Sequence, residues 1–193
     1  IILSGNTWVP LSISSPNARN IDVFKNFKQA LVIVDHDVDH SLATLENMDG
    51  FEFIDLRTVS ADDPPLAFDP IGFDPEANAM IYFTSGSTGE PKGVQISHRN
   101  FISMLDNIMN LLPWPQNGVF ADLHELSFVI SIPILFPCWL TGGTVAPAMS
   151  QEERFLPVDY LLDNDVNVLI TVPSTVLRVK TIMSKGIKKL DLK

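Results

Sequence analysis

Cysteine is nearly missing from this chain: Cys138 is the sole one, so no internal disulfide can form, which fits a reducing cytosol. Set between Phe136 and Trp139, it reads as a small buried hydrophobe rather than a nucleophile. Positive charge is scarce as well. Thirteen Lys and Arg stand against 23 Asp and Glu, for a net charge of −10, which argues against a general nucleic-acid binder because phosphate backbones select clustered cations. Most of the acidity lies between Asp22 and Asp74, Arg178 to Lys193 is basic, and both read as solvated faces. No signal peptide is expected in these residues, since the apolar opening Ile1–Leu3 reaches Gly5 and Asn6 at once. The long uncharged stretch Leu126–Gln151 is interrupted by Pro133, Pro137, Gly142, Gly143 and Pro147, which suits a buried helix and strand rather than a membrane span. Internal repeats and low-complexity tracts are absent, and so is an initiator Met. With Lys193 ending just after a helical stretch, the expectation is a fragment of a longer protein.

What is present is a packed-domain composition, 46% hydrophobic and 19% charged. Strand-like runs recur at Ala30–Asp35, Phe51–Leu56, Met80–Ser85, Val119–Leu123, Thr144–Ala146 and Val168–Val172. Several are continuously apolar, as strands covered on both faces are. Helical patterns lie between them. The spacing of Phe101, Leu105, Ile108 and Leu112 predicts a helix over His98–Leu112 with that stripe as core, capped by Ser97. Further helices are predicted over Ile132–Leu140, ending at Gly142-Gly143, over Val158–Asp163, and over Thr175–Lys185, capped by Ser174 and stopped by Gly186. This alternation predicts an α/β fold with a mainly parallel β-sheet and flanking helices. Ser60–Pro75, rich in Asp and Pro, reads as a connector.

The segment Tyr82–Val94, YFTSGSTGEPKGV, carries the chemistry. It starts in a strand and then sets Thr84, Ser85, Gly86, Ser87, Thr88 and Gly89 in succession, with Lys92 close behind and a helix opening near Ser97. Gly86 and Gly89 allow positive φ and close approach of a ligand to the backbone. The hydroxyls and free N–H groups are donors for phosphate oxygens, and Lys92 adds a mobile cation for a polyphosphate. The Walker pattern fails because Pro91 precedes Lys92 and Gly93 follows it, and the Gly-x-Gly-x-x-Gly spacing is missing. Composition alone also suits an ordinary surface loop; the density of donors favours phosphate.

Nearly residue for residue, this segment resembles the phosphate-loop signature of the AMP-forming acid ligases, the superfamily of acyl-CoA synthetases, luciferases and peptide-synthetase adenylation domains. The resemblance runs over essentially the whole chain: Trp8-Val9-Pro10-Leu11 with Pro16 and Arg19, His98-Arg99-Asn100, Phe128–Gly143, and Val172-Pro173-Ser174-Thr175 all look like stretches of adenylation domains. It implies part of a large N-terminal AMP-binding domain, residues 1–193, and ATP-dependent activation of a carboxylic acid as an acyl-adenylate with release of pyrophosphate. Transfer to a carrier-protein phosphopantetheine or coenzyme A thiol would follow. It also implies that Thr84 to Lys92 hold ATP phosphates, that Thr88 positions Mg²⁺, and that Thr88 and Lys92 are catalytic. An acyl-CoA or fatty acyl-AMP ligase, or a degenerate nucleotide-binding module, are the rival readings.

Two departures qualify the resemblance. In adenylation domains for α-amino acids, the Asp of a Phe-Asp-x-Ser motif binds the substrate ammonium; here Phe128, Val129 and Ser131 match it and Val129 replaces the Asp. A buried ammonium without a carboxylate is costly, so the substrate is expected to lack an α-amino group unless Glu125 or Asp122 supplies the charge. The family's later motifs, namely the Tyr-Gly-x-Thr-Glu run, a ribose-binding Asp and a lid Lys, do not occur, so this polypeptide alone should not adenylate efficiently. By resemblance to acyl-CoA synthetases, His124 is a candidate for the acyl pocket beside Phe128 and Val129. His36, Asp37, Asp39 and His40 have a metal-like spacing but suit a solvated acidic loop better. His98 suits a cap or surface position better than a nucleotide contact, and Trp114, flanked by prolines, reads as a packing anchor.

Overall fold

Strand β3 (Asn78–Ser85) owes its place to three side chains, Ala79, Met80 and Tyr82, that are almost wholly withdrawn from solvent. The computed structural model describes residues 1–12, 14–34, 49–60, 72, 74–85 and 90–184. On one side of β3 the opening segment runs parallel to it, with Trp8 N donating to Ala79 O at 2.9 Å and Ile81 N to Trp8 O at 2.9 Å. On the other side β4 (Pro91–Ser97) pairs antiparallel, with Phe83 opposite Gly93, Thr84 opposite Lys92 and Ser85 opposite Pro91. Met80, Tyr82, Phe101 and Ile132 form one core cluster around this hairpin.

Two further strand pairs are parallel. The first joins β1 (Ala30–Val34) to β2 (Phe51–Asp55), and the second joins β5 (Val119–Asp122) to β6 (Thr144–Pro147). Helix α1 (Asn17–Phe24) precedes β1 and turns Val23 and Phe24 inward. Helix α2 (His98–Leu111) follows β4, and α3 (Ser131–Leu140) lies between β5 and β6. Helices α4 (Gln151–Phe155), α5 (Val158–Asp163) and α6 (Pro173–Ser184) complete the described chain. The architecture is α/β as expected, parallel in two of its three described strand pairs and antiparallel in the β3–β4 hairpin.

Helix α2 begins where the hydroxyl of Ser97 accepts from Asn100 N at 3.2 Å, the expected cap. Phe101 is buried and Leu105 and Ile108 are half-buried, but Leu112 lies past the helix and is 52% exposed, so the predicted stripe stops one turn early. Trp114 is the anchor it was read to be: its indole N–H donates to Ile108 O at 3.0 Å and its ring stacks on Phe120 at 5.9 Å. His98 is buried, not on the surface. Cys138 is fully buried on α3, as expected.

Other expectations need correction. Val168–Val172 is not a strand; β5 leaves the sheet after Asp122, and a single parallel bridge joins Val168 to Phe120. Helix α6 starts at Pro173, whose missing N–H costs nothing in a first turn, so Ser174 is inside the helix rather than its cap. Strand β4 was not predicted because none of it is buried, its middle, Lys92–Gln95, is exposed, and its Pro, Lys and Gly carry no alternation; the ladder to β3 holds it. The stop at Gly186, the acidic His36–His40 cluster and most of the Ser60–Pro75 connector lie outside the described residues.

The turn from α3 into β6 is set by two glycines. Gly142 takes φ 69°, and at Gly143 an added Cβ would stand 2.6 Å from Gly118 O and 3.1 Å from Cys138 O. Both neighbours are backbone and cannot swing aside. Gly143→Ala is therefore expected to lower unfolding free energy by about 1–3 kcal/mol, the usual cost of overpacking, read as a lower urea midpoint; an unchanged midpoint would contradict the close approach.

Candidate functional site

The phosphate-type segment connects β3 to β4, so it spans a hairpin between two antiparallel strands and not a strand-to-helix turn; α2 opens only after β4. The last pairs of the ladder fix its neck. Thr84 and Lys92 face each other directly, with Thr84 Oγ1 donating weakly to Lys92 O at 3.5 Å, and Ser85 faces Pro91. Directly opposed residues present their side chains on the same face of a pair. Thr84 and Lys92 therefore share a face and Ser85, the next residue, points to the other; all three are exposed at the open end of the hairpin. Gly86, Ser87, Thr88 and Gly89, the rest of the predicted site, lie outside the described residues. Arg19 from α1 clamps the hairpin from behind, its Nη2 donating to Phe83 O at 3.1 Å.

The second half of the site hangs from the same strand. Tyr82 Oη lies 3.3 Å from Ser131 Oγ, both buried, which ties β3 to the first residue of α3. Burial pushes the Tyr82 hydroxyl up from its usual pKa, with the Ser131 bond opposing, so it stays a neutral hydrogen-bonding group. Ahead of α3 the chain makes a tight turn: Phe128 N donates to Glu125 O at 2.9 Å and Ser131 N to Phe128 O at 3.0 Å. That turn leaves Phe128 and Val129 more than half exposed. They line a concavity of about 440 Å³ together with His124, Glu125, Arg154 and Val172. The three pocket candidates from the sequence, His124, Phe128 and Val129, thus meet around one hollow.

Its polar groups differ in character. Burial pulls His124 below the ordinary imidazole value of 6.5, partly offset by Asp122, and its Nε2 sits 3.2 Å from Thr171 Oγ1. Burial raises the Asp122 carboxyl, against the pull of the His124 N–H and of the His124 and Arg154 charges. Burial alone would raise Glu125 too. Hydroxyl donors from Ser12 and Ser14, the Arg154 charge and Ser127 outweigh it and hold Glu125 below the usual carboxylate range. The Ser12–Ser14–Glu125 contact, which draws the opening segment onto the pocket, had no signal in the sequence beyond two serines after Pro10. Helix α4, which carries Arg154, is not among the predicted helices; the signal that could have found it is Ser150 with Glu153, where the side chain of each accepts from the other's backbone N–H as a capping box.

The family model described as AMP-binding enzyme matches residues 1–192. The chain belongs to that family. A D-alanine–D-alanyl carrier protein ligase of Listeria welshimeri is 33% identical over 149 residues, 76% of this chain and 29% of the ligase. Syringomycin synthase of Pseudomonas syringae pv. syringae is 29% identical over 178 residues, 90% of this chain and 28% of the synthase. Among solved structures, a nonribosomal peptide synthetase bound to α-methyl-L-serine-AMP superposes with TM-score 0.75 at 18% identity, covering 97% of this chain and 20% of that one. A malonyl-CoA ligase with methylmalonyl-CoA and AMP gives 0.71 at 22% identity, covering 95% and 38%. These share the fold. This AMP-binding family chain spans about a third of the length of the curated relatives it matches. Among its described residues, no helix is long and apolar enough to cross a membrane.

The lowered His124 value has a sign that solution work can read. The unfolded chain takes up this proton at a higher pH than the folded one, so the His124 contribution is intact above about 6.5 and is lost as pH falls below it. The imidazole is expected to titrate below 6.5 by NMR. Stability is expected to drop between pH 7.5 and 5.5 by more than in His124→Gln; equal drops would contradict the assignment.

Proposed function

We propose that the chain is part of an enzyme that activates a carboxylic acid with ATP, residues 1–193 supplying part of its N-terminal AMP-binding domain. The observation that carries this reading is the hairpin neck, where Lys92 stands directly across from Thr84 at the mouth of a Gly-Ser-Thr-Gly connection. In the reaction an oxygen of the acid carboxylate attacks the α-phosphorus of ATP; the new acyl–O–P bond forms as the α–β phosphoanhydride breaks and pyrophosphate leaves. Charge gathers on the leaving group, and Lys92 with the Thr84 hydroxyl on the same face of the ladder is placed to bind and neutralise it, with Ser85 at the start of the connection. Gly86, Ser87, Thr88 and Gly89 belong to the same grip.

Mg²⁺ would supply further neutralisation of the pyrophosphate; by the family resemblance, Thr88 and the substrate's own phosphate oxygens would hold it. A thiol, carried by a phosphopantetheine protein or by coenzyme A, would then attack the acyl carbon and release AMP. The carrier-protein ligases among the relatives favour the first acceptor. Cytoplasmic residence fits both.

His124, Phe128 and Val129 are assigned to the acyl pocket. The D-alanyl ligases similar to this chain name an amino acid as substrate, yet Val129 stands where the ammonium-binding Asp is expected. Glu125 is no substitute, because its oxygens are taken by Ser12, Ser14 and Ser127 and its charge faces Arg154. A neutral His124 stands in the wall, and behind it the half-buried Asp122 accepts from His124 N. An acid without an α-amino group is the reading these side chains support.

Two expected outcomes follow in the full-length enzyme. Lys92→Ala or Thr88→Ala lowers ATP–pyrophosphate exchange by about 10²-fold, the scale of losing one preorganised donor to a developing charge; unchanged exchange in both would contradict the loop's role. In an exchange screen over amino, keto, hydroxy, aryl and fatty acids, the strong signals come from acids lacking an α-amino group, and a response confined to α-amino acids would overturn the pocket reading.

A further inference from the structure

The hollow beside Phe128 and Val129 has one charged wall that the adenylation reading leaves unused. Arg154, on α4, faces it next to Glu125. A guanidinium offers five N–H donors, and among the described residues this one makes a single hydrogen bond, from Nη2 to Ala148 O at 3.3 Å. Its buried Nε has no partner. Its ion pair with Glu125, from Nη1 to Oε1, is long at 3.5 Å. Glu125 is meanwhile bound by the hydroxyls of Ser12, Ser14 and Ser127, so its charge is shared among several donors and only partly offsets the guanidinium. The Arg154 side chain is 38% exposed, open enough for a ligand to reach.

The remaining walls limit what that ligand is. Phe128, Val129 and Val172 are apolar and exposed into the hollow, and His124 carries no charge at neutral pH because burial keeps its proton off. Asp122, the other acid nearby, is half-buried and turned to the His124 N–H. The hollow therefore offers apolar contact over most of its surface and a cation with unspent donors at one end. A planar guanidinium is matched best by a carboxylate, which it can hold through two parallel N–H···O bonds.

We propose that Arg154 is a specificity-determining residue and that the acid activated here is a dicarboxylic acid, its second carboxylate bound by Arg154 and its apolar body lying against Phe128 and Val129. This rests on the adenylation reading for the fate of the first carboxylate, but the binding itself does not. The decisive comparison uses the full-length enzyme and pairs of straight-chain acids of equal length, one dicarboxylic and one monocarboxylic. In ATP–pyrophosphate exchange the diacid is expected to be favoured in kcat/KM, and Arg154→Met to reduce that preference by about 10–100-fold, the worth of one charge-assisted pair. Arg154→Lys, which keeps the charge but not the fork, should retain part of it. A merely structural ion pair would lower both acids alike and leave their ratio unchanged, and that outcome, or an equal preference in the unaltered enzyme, overturns the proposal. Calorimetric titration of the diacid without ATP separates the two readings. Binding that weakens in Arg154→Met supports the site even if no acid drives exchange, which would count against adenylation alone; no binding and no preference would sink the dicarboxylate assignment.

Discussion

The antiparallel ladder between β3 and β4 is the constraint on which the site depends. It sets Thr84 across from Lys92 and closes the neck of the Gly-Ser-Thr-Gly connection. An exposed two-stranded hairpin is marginal by itself in water. Here it is held because β3 is core: Ala79, Met80 and Tyr82 are buried in one cluster with Phe101 of α2 and Ile132 of α3. Trp8 adds a parallel bridge on the far edge and packs edge-on to Tyr82 at 6.2 Å. The 86–89 connection thus follows a strand whose Ala79, Met80 and Tyr82 are buried.

The same strand links the two ends of the site. Tyr82 reaches Ser131 at the start of α3, and the turn just before that helix carries Phe128 and Val129. The hairpin and the start of α3 are therefore joined through one buried hydrogen bond and the apolar cluster of Met80, Tyr82, Phe101 and Ile132. Around the hollow, burial and hydrogen bonding decide which groups are charged. His124 is held neutral, Glu125 is held ionised by serine hydroxyls and Arg154, and Asp122 is pushed upward by its own burial. The opening segment contributes two of those serines, so residues far apart in sequence build one electrostatic environment.

Much of this was legible in the residues and some was not, for physical reasons. Buried strands such as Met80–Phe83 and Val119–Asp122 announced themselves by continuous apolarity, and α2, α3 and α5 by periodicity or by closing glycines. Strand β4 was hidden because a solvent-facing strand has no burial pattern to read, and hydrogen-bond partners do not show in composition. The end of Val168–Val172 as a strand depended on where β5 stops, which is a tertiary fact. At the site, the grouping of His124, Phe128 and Val129 was readable from the segment they share. The involvement of Arg154, Ser12 and Ser14 was not, since no local rule connects a serine pair near the start with an arginine some 140 positions later.

The central claim is that the β3–β4 hairpin grips the triphosphate. A crystal structure of the full-length protein with a non-hydrolysable ATP analogue tests it directly. The account predicts phosphate oxygens within hydrogen-bonding distance of the 86–89 backbone and of Lys92 Nζ, with the hairpin ladder unchanged. Phosphates bound elsewhere, with Lys92 still facing solvent, would contradict it.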